Sequence, residues 1–131
     1  MKDIEMIEEL WTTINDRADH PSPDSYVSSV LTHRKGIDKS LEKFGEEATE
    51  FILAVKNGVD QRTIEEGADV LFHFMIALRA AGIEFEEILT EMGLRRNNAL
   101  SSEQFRWRNR RIPEGCLMTP ADYHHLRVPE K

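Results

Sequence analysis

Two pairs of carboxylates draw attention by their spacing: Glu47 with Glu50, and Glu66 with Asp69. Residues three apart on a helix are neighbours on its surface, so each pair presents two acidic groups side by side. On a helical wheel at about 100° per residue, Glu47, Lys43, Glu50, Lys39 and Glu46 occupy one flank of a helix whose apolar stripe runs through Phe44. On the next helix Asp69, Arg62, His73 and Glu66 share one line opposite Leu71. From Val70 to Leu78 every residue except His73 is apolar. A helix apolar on all sides is normally buried, so this acidic line is expected to face an interior or a cleft. Carboxylates placed there must pair, take up a proton or hold a cation. Four of them with few cations nearby predict a hard-metal site for Mg²⁺ or Mn²⁺, made by Glu47, Glu50, Glu66 and Asp69. The competing expectation is that both flanks are solvated helix faces. His73, one turn from Asp69, is expected to support a ligand rather than to be one.

The carboxylates meet only if their helices form a hairpin. Leu41, Phe44, Ala48, Phe51 and Val55 step by three and four, predicting a helix over 38–56 closed by Asn57-Gly58. Asp60 then caps a helix over 61–81, with Gly82 at its C-terminal end. The turn between them is so short that the two helices must lie antiparallel, bringing Glu47 and Glu50 level with Glu66 and Asp69. Upstream, Ile4, Ile7, Trp11 and Ile14 mark a helix over 3–18 that stops before Pro21 and Pro23. Asp24 or Ser25 can cap a short helix carrying Tyr26, Val30 and Leu31, ending near Arg34-Lys35-Gly36. Phe85, Ile88, Leu89 and Met92 mark a fifth helix over 84–97. No alternating strand pattern occurs, so the expected fold is an all-α bundle of about five helices. Residues 1–97 form the expected domain; 98–131 form a basic, mostly irregular extension, with room for a short helix near 102–110.

The 131 residues suit a single domain, and 40% hydrophobic against 31% charged residues excludes a disordered polymer. No apolar stretch reaches the ~20 residues that span a bilayer. One cysteine and an acidic start without a signal-peptide pattern predict a cytoplasmic protein. The net charge of −7 is uneven: residues 1–94 carry 9 basic against 20 acidic groups, and 95–131 carry 8 against 4. Such an acidic body repels nucleic acid, which makes a nucleic-acid partner unlikely.

The order Ser25-Tyr26, Lys35-Gly36, Lys39, Lys43-Phe44-Gly45-Glu46-Glu47-Ala48-Thr49-Glu50, Ala54-Val55-Lys56-Asn57-Gly58 and Glu65-Glu66-Gly67-Ala68-Asp69-Val70-Leu71-Phe72-His73 resembles the phosphoribosyl-ATP pyrophosphohydrolases. These are MazG-like members of the all-α nucleoside triphosphate pyrophosphohydrolases. The likeness spans residues 5–96; Phe44, Gly67 and Phe72 depart from the usual residues as core variation, and 98–131 resembles nothing in the family. The resemblance implies an enzyme of histidine biosynthesis that hydrolyses a small-molecule nucleotide, phosphoribosyl-ATP, at its α–β phosphoanhydride. It places metal ligands at Glu47, Glu50, Glu66 and Asp69, and Mg²⁺ is the implied cofactor, with Mn²⁺ as the alternative. It implies catalytic roles for Glu46, Glu47, Glu50 and Lys43, with Glu46 as candidate base. Substrate-binding roles fall on Ser25, Tyr26, Lys39, Lys43, Lys56 and Asn57.

Two other functions fit the residues. A general nucleotide pyrophosphatase would use the same carboxylates. A non-catalytic helical module would instead bind nucleic acid through the tail residues Arg106, Trp107, Arg108, Arg110 and Arg111. A homodimer or higher oligomer is expected, because five helices cannot cover every side of the 70–78 segment.

Overall fold

A computed structural model describes residues 2–97. A 3₁₀ turn over Lys2–Ile4 leads into α1 (Glu5–Asp19), followed by α2 (Tyr26–Leu31), α3 (Ile37–Lys56), α4 (Asp60–Ala81) and α5 (Phe85–Asn97). The fold is all-α, and no strand occurs among the described residues. The chain divides into two compact units, Met1–Phe85 and Glu86–Lys131. In the second, the described residues continue α5, which carries an Arg95–Glu91 ion pair at 3.0 Å. The expected basic extension over 98–131, its short helix and its arginines lie outside the described residues.

The first unit is built around α4. Ile14 of α1, Val27 and Val30 of α2, and Met75 and Ile76 of α4 form its buried core, with Ile7, Leu10, Trp11, Leu31, Phe72, Phe74 and Phe85 packed around it. Polar bonds fix how α1 and α2 meet that core. The Ser28 hydroxyl donates to the Arg17 carbonyl over 2.8 Å and accepts from the Ser22 amide over 3.1 Å, stitching the end of α1 to α2. Arg79 donates to Asn15 and to Asp19, both over 2.8 Å, tying α4 back to α1. Of the two candidates for the α2 cap, Ser25 is the one used: its side chain accepts from the Ser28 amide.

α3 and α4 pack against each other as an antiparallel hairpin. Gly58, at φ +70°, makes the connection possible, since an L side chain rarely adopts that conformation. The helix start differs in one respect from expectation. Asp60 is the first residue of α4 rather than its cap; Val59 caps it without a side-chain bond, and the Asp60 carboxylate instead favours the positive end of the helix dipole.

The most buried face of α3 lies to one side of the stripe through Phe44. Its buried residues are Ser40, Glu47 and Ala54, seven apart, whereas Leu41 and Val55 of the apolar stripe are exposed. On α4, Leu71 is 56% exposed and Ile64 66%. As expected, one chain alone does not cover every side of the 70–78 segment. α1, α2 and α3 shield only part of the circumference of α4, which leaves an apolar surface shared by α3 and α4.

Gly67 sits inside α4, where a Cβ would rest at an ordinary 3.7 Å from the Phe51 ring. Replacing an interior helical glycine removes its entropic penalty. Gly67→Ala should therefore raise stability by about 0.5–1 kcal/mol, read as a higher midpoint in urea unfolding with unchanged slope.

Candidate active site

The hairpin register carries acidic groups from both helices to one place. One carboxylate oxygen from each of Glu47, Glu66 and Asp69 lies within 4.8 Å of the others. Glu47 is 8% exposed and Glu66 only 3%; Asp69 is the most exposed of the three. Like charges this close repel, and burial removes the water that would screen them. Burial therefore pushes the Glu66 carboxyl above its ordinary value, and the adjoining Glu47 carboxyl pushes in the same direction. Arg62 opposes this, its Nη2 donating to Glu66 Oε1 over 2.6 Å. Glu66 Oε2 is buried and accepts from no N–H or hydroxyl donor.

Lys43 stands one turn before Glu47. Its Nζ donates to Glu46 Oε2 over 2.9 Å and lies 3.7 Å from Glu47 Oε1. The bond to Glu46 raises the lysine pKa against the effect of burial, so the ammonium is kept charged. Tyr26 reaches the same region from α2. Burial raises its phenol pKa, Lys43 lowers it, and Glu47, Glu46 and Asp69 raise it further, so the hydroxyl keeps its proton.

His73 accounts for both of its ring nitrogens. Nδ1 lies 2.7 Å from the Asp69 backbone carbonyl and Nε2 lies 2.8 Å from the Tyr26 hydroxyl. A carbonyl only accepts, so Nδ1 carries a proton; in the neutral ring Nε2 then accepts from the tyrosine. His73 thus links the backbone at Asp69 to Tyr26 and has no nitrogen to spare for a metal. Its ring also meets Tyr26 and Phe72 edge-on, at centroid separations of 5.7 and 5.3 Å.

The other residues singled out from sequence are placed as follows. Glu50 is half-buried one turn beyond Glu47 and is not among the three converging carboxylates. Lys39 is half-buried in the first turn of α3. The Ser25 oxygen is engaged in capping α2. Lys56 and Asn57 are exposed at the far end of α3; at 1.5 Å per residue, Lys56 lies about 13 Å along the helix from Glu47. Arg62 was not among the residues expected to serve the site. Its signal in the sequence is the four-residue spacing to Glu66, which puts the two on one helix face.

An all-oxygen donor set in which one buried oxygen accepts from no N–H or hydroxyl donor fits a hard divalent cation. The sequence profile described as phosphoribosyl-ATP pyrophosphohydrolase matches residues 7–96. The chain belongs to that family. A phosphoribosyl-ATP pyrophosphatase from Methanoculleus marisnigri is 60% identical over 96 residues, covering 73% of this chain and 99% of its own length. Those from Methanosphaerula palustris and Methanoregula boonei are 57% and 55% identical over 98 and 94 residues, covering 75% and 72% of this chain and 99% and 90% of their own lengths. The family match contains the whole of α2, α3 and α4, and with them every group described above.

The raised Glu66 pKa has a consequence for stability. A carboxyl whose folded value lies above its unfolded value stabilises the fold when protonated, and that contribution is lost as pH rises through the folded value. In chelator, the parent should lose melting temperature relative to Glu66→Gln as pH rises above the ordinary glutamate value of 4.5. Parallel melts from pH 4.5 to 7.5 check this; curves that stay a constant distance apart would show that Glu66 is not under this burden.

Proposed function

We propose that this chain hydrolyses phosphoribosyl-ATP at the α–β phosphoanhydride, giving phosphoribosyl-AMP and pyrophosphate in cytoplasmic histidine biosynthesis, with Mg²⁺ bound through Glu47, Glu50, Glu66 and Asp69. The observation that carries this reading is the convergence of Glu47, Glu66 and Asp69 in the core of the hairpin. Mn²⁺ suits the same donors.

When bound, the metal neutralises phosphate charge and polarises the phosphoryl group. The residues of the chain do the remainder. Breaking a phosphoanhydride needs positioning and charge stabilisation more than covalent help. Water attacks the α phosphorus, the bond to the bridging oxygen breaks, and pyrophosphate departs with the electron pair. Lys43 meets the charge that builds on the leaving group, and Lys39, a turn earlier on α3, extends the same positive flank. Glu46 holds the Lys43 ammonium and is the proposed acceptor of the proton lost by the attacking water. Tyr26, held by His73, contacts the bound nucleotide. Ser25 serves by starting α2 in the right place, and Lys56 and Asn57 belong to the outer reach of the substrate.

The exposed apolar residues of α3 and α4, among them Leu41, Ile52, Leu53, Val55, Ile64 and Leu71, support a homodimer or higher homo-oligomer in which a second copy covers this surface. No helix among the described residues is long and apolar enough to cross a membrane.

Each of Glu47→Gln, Glu66→Gln and Asp69→Asn should reduce turnover by at least about 10²-fold, since metal neutralisation acts most strongly in the transition state. Steady-state hydrolysis with and without Mg²⁺ measures this, and a chelator-insensitive rate would defeat the metal assignment. A substrate panel tests the narrower claim: ordinary nucleoside triphosphates cleaved as fast as phosphoribosyl-ATP would favour a general pyrophosphatase. Light scattering at micromolar concentration should give at least twice the chain mass of 15.2 kDa; a monomer would remove the oligomer from this reading.

A further inference from the structure

Arg62 reaches one turn along α4 to Glu66, with Nη2 2.6 Å from Oε1, while its Nη1 lies 3.4 Å from Glu65 Oε2. The two ends of the Glu66 pair are unlike. The Arg62 side chain is 58% exposed, and the Glu66 side chain is almost wholly buried. A buried carboxylate needs a compensating cation, whereas an exposed guanidinium can return to water at little cost. The second oxygen, Oε2, is buried and accepts from no N–H or hydroxyl donor, and one oxygen of Glu66 lies within 4.8 Å of one from each of Glu47 and Asp69. A divalent ion entering there takes over the compensation of Glu66 and repels the guanidinium already on it.

We propose that Arg62 is the resident counter-cation of Glu66 and is exchanged for the divalent metal. It neutralises Glu66 while the site is metal-free and yields as the metal arrives. The inference rests on the metal reading of Glu47, Glu66 and Asp69 given above. Arg62 thereby lowers the affinity of the site for the bare ion, and a released guanidinium at the rim offers planar, forked donors suited to phosphate oxygens.

The test uses the full chain and Mn²⁺ alone, with binding followed by titration calorimetry and by the electron paramagnetic resonance of free Mn²⁺, alongside melts in chelator. Arg62→Gln should tighten Mn²⁺ binding by about three- to fivefold, the upper range set by a partly exposed ion pair, and should melt lower than the parent without metal. Arg62→Lys keeps the competing charge and should bind Mn²⁺ within about twofold of the parent. Unchanged binding by Arg62→Gln would overturn the exchange, leaving a surface ion pair. Weaker binding would overturn it in the other direction, making Arg62 a residue that orients Glu66 for the metal. Glu66→Gln separates this inference from the one beneath it. If the parent binds no Mn²⁺, or Glu66→Gln binds it equally well, the metal reading itself fails and the exchange with it. Glu66-dependent binding that is indifferent to Arg62→Gln overturns the exchange alone.

Discussion

The burial of negative charge between α3 and α4 is the constraint on which the rest of the structure turns. Glu47 and Glu66 occupy positions where a bundle would ordinarily place leucine, and two carboxylates there cost stability unless something positive attends them. Lys43 and Arg62 attend from the rim, and Glu66 still keeps one oxygen that accepts from no N–H or hydroxyl donor. Natural chains tolerate such local conflict where function requires it and compensate elsewhere. The compensation here is visible farther along α4, where Ile14, Val27, Val30, Met75 and Ile76 form a conventional apolar core. α4 therefore carries the acidic groups in its first half and the apolar core in its second.

His73 lies between those two stretches. It is a buried polar residue in an otherwise apolar helix segment, satisfied at both nitrogens. Through it, α2 is registered against α4 by a directional bond rather than by apolar contact alone. The position of Tyr26 near Lys43, Glu46 and Glu47 thus depends on the same residue that fixes the backbone beside Asp69. The Ser28 bridge and the Arg79 bonds do similar work farther out, holding α1 and α2 where their apolar faces meet α4.

The helices were legible in the sequence because two simple rules agree: apolar residues recur every three or four positions, and proline or glycine marks most of the breaks between helices. The antiparallel approach of α3 and α4 was legible because the connection is too short to permit anything else. What periodicity does not reveal is which part of an apolar stripe a single chain covers. Leu41 and Val55 follow the stripe and remain exposed, while Ser40 and Glu47 lie inward. Bonds between distant residues were equally hidden. Tyr26 and His73 are 47 residues apart, and nothing in either segment specifies the pairing. Arg62 was visible on the acidic face of its helix, but its attachment to the least exposed carboxylate depends on burial, which spacing does not report.

The three-residue turn at Asn57–Val59 governs more than the register of the acids. Because it joins consecutive helices, pairings along the hairpin are nearer in the chain than the contacts of α1 with α4, and closing so small a loop costs little entropy. Local pairings of this kind are the ones that form early and fast. The acidic cluster is therefore a more local assembly than the contacts of α1 with α4, which span some sixty residues. By contact order, the chemistry is expected to come together before the scaffold that steadies it.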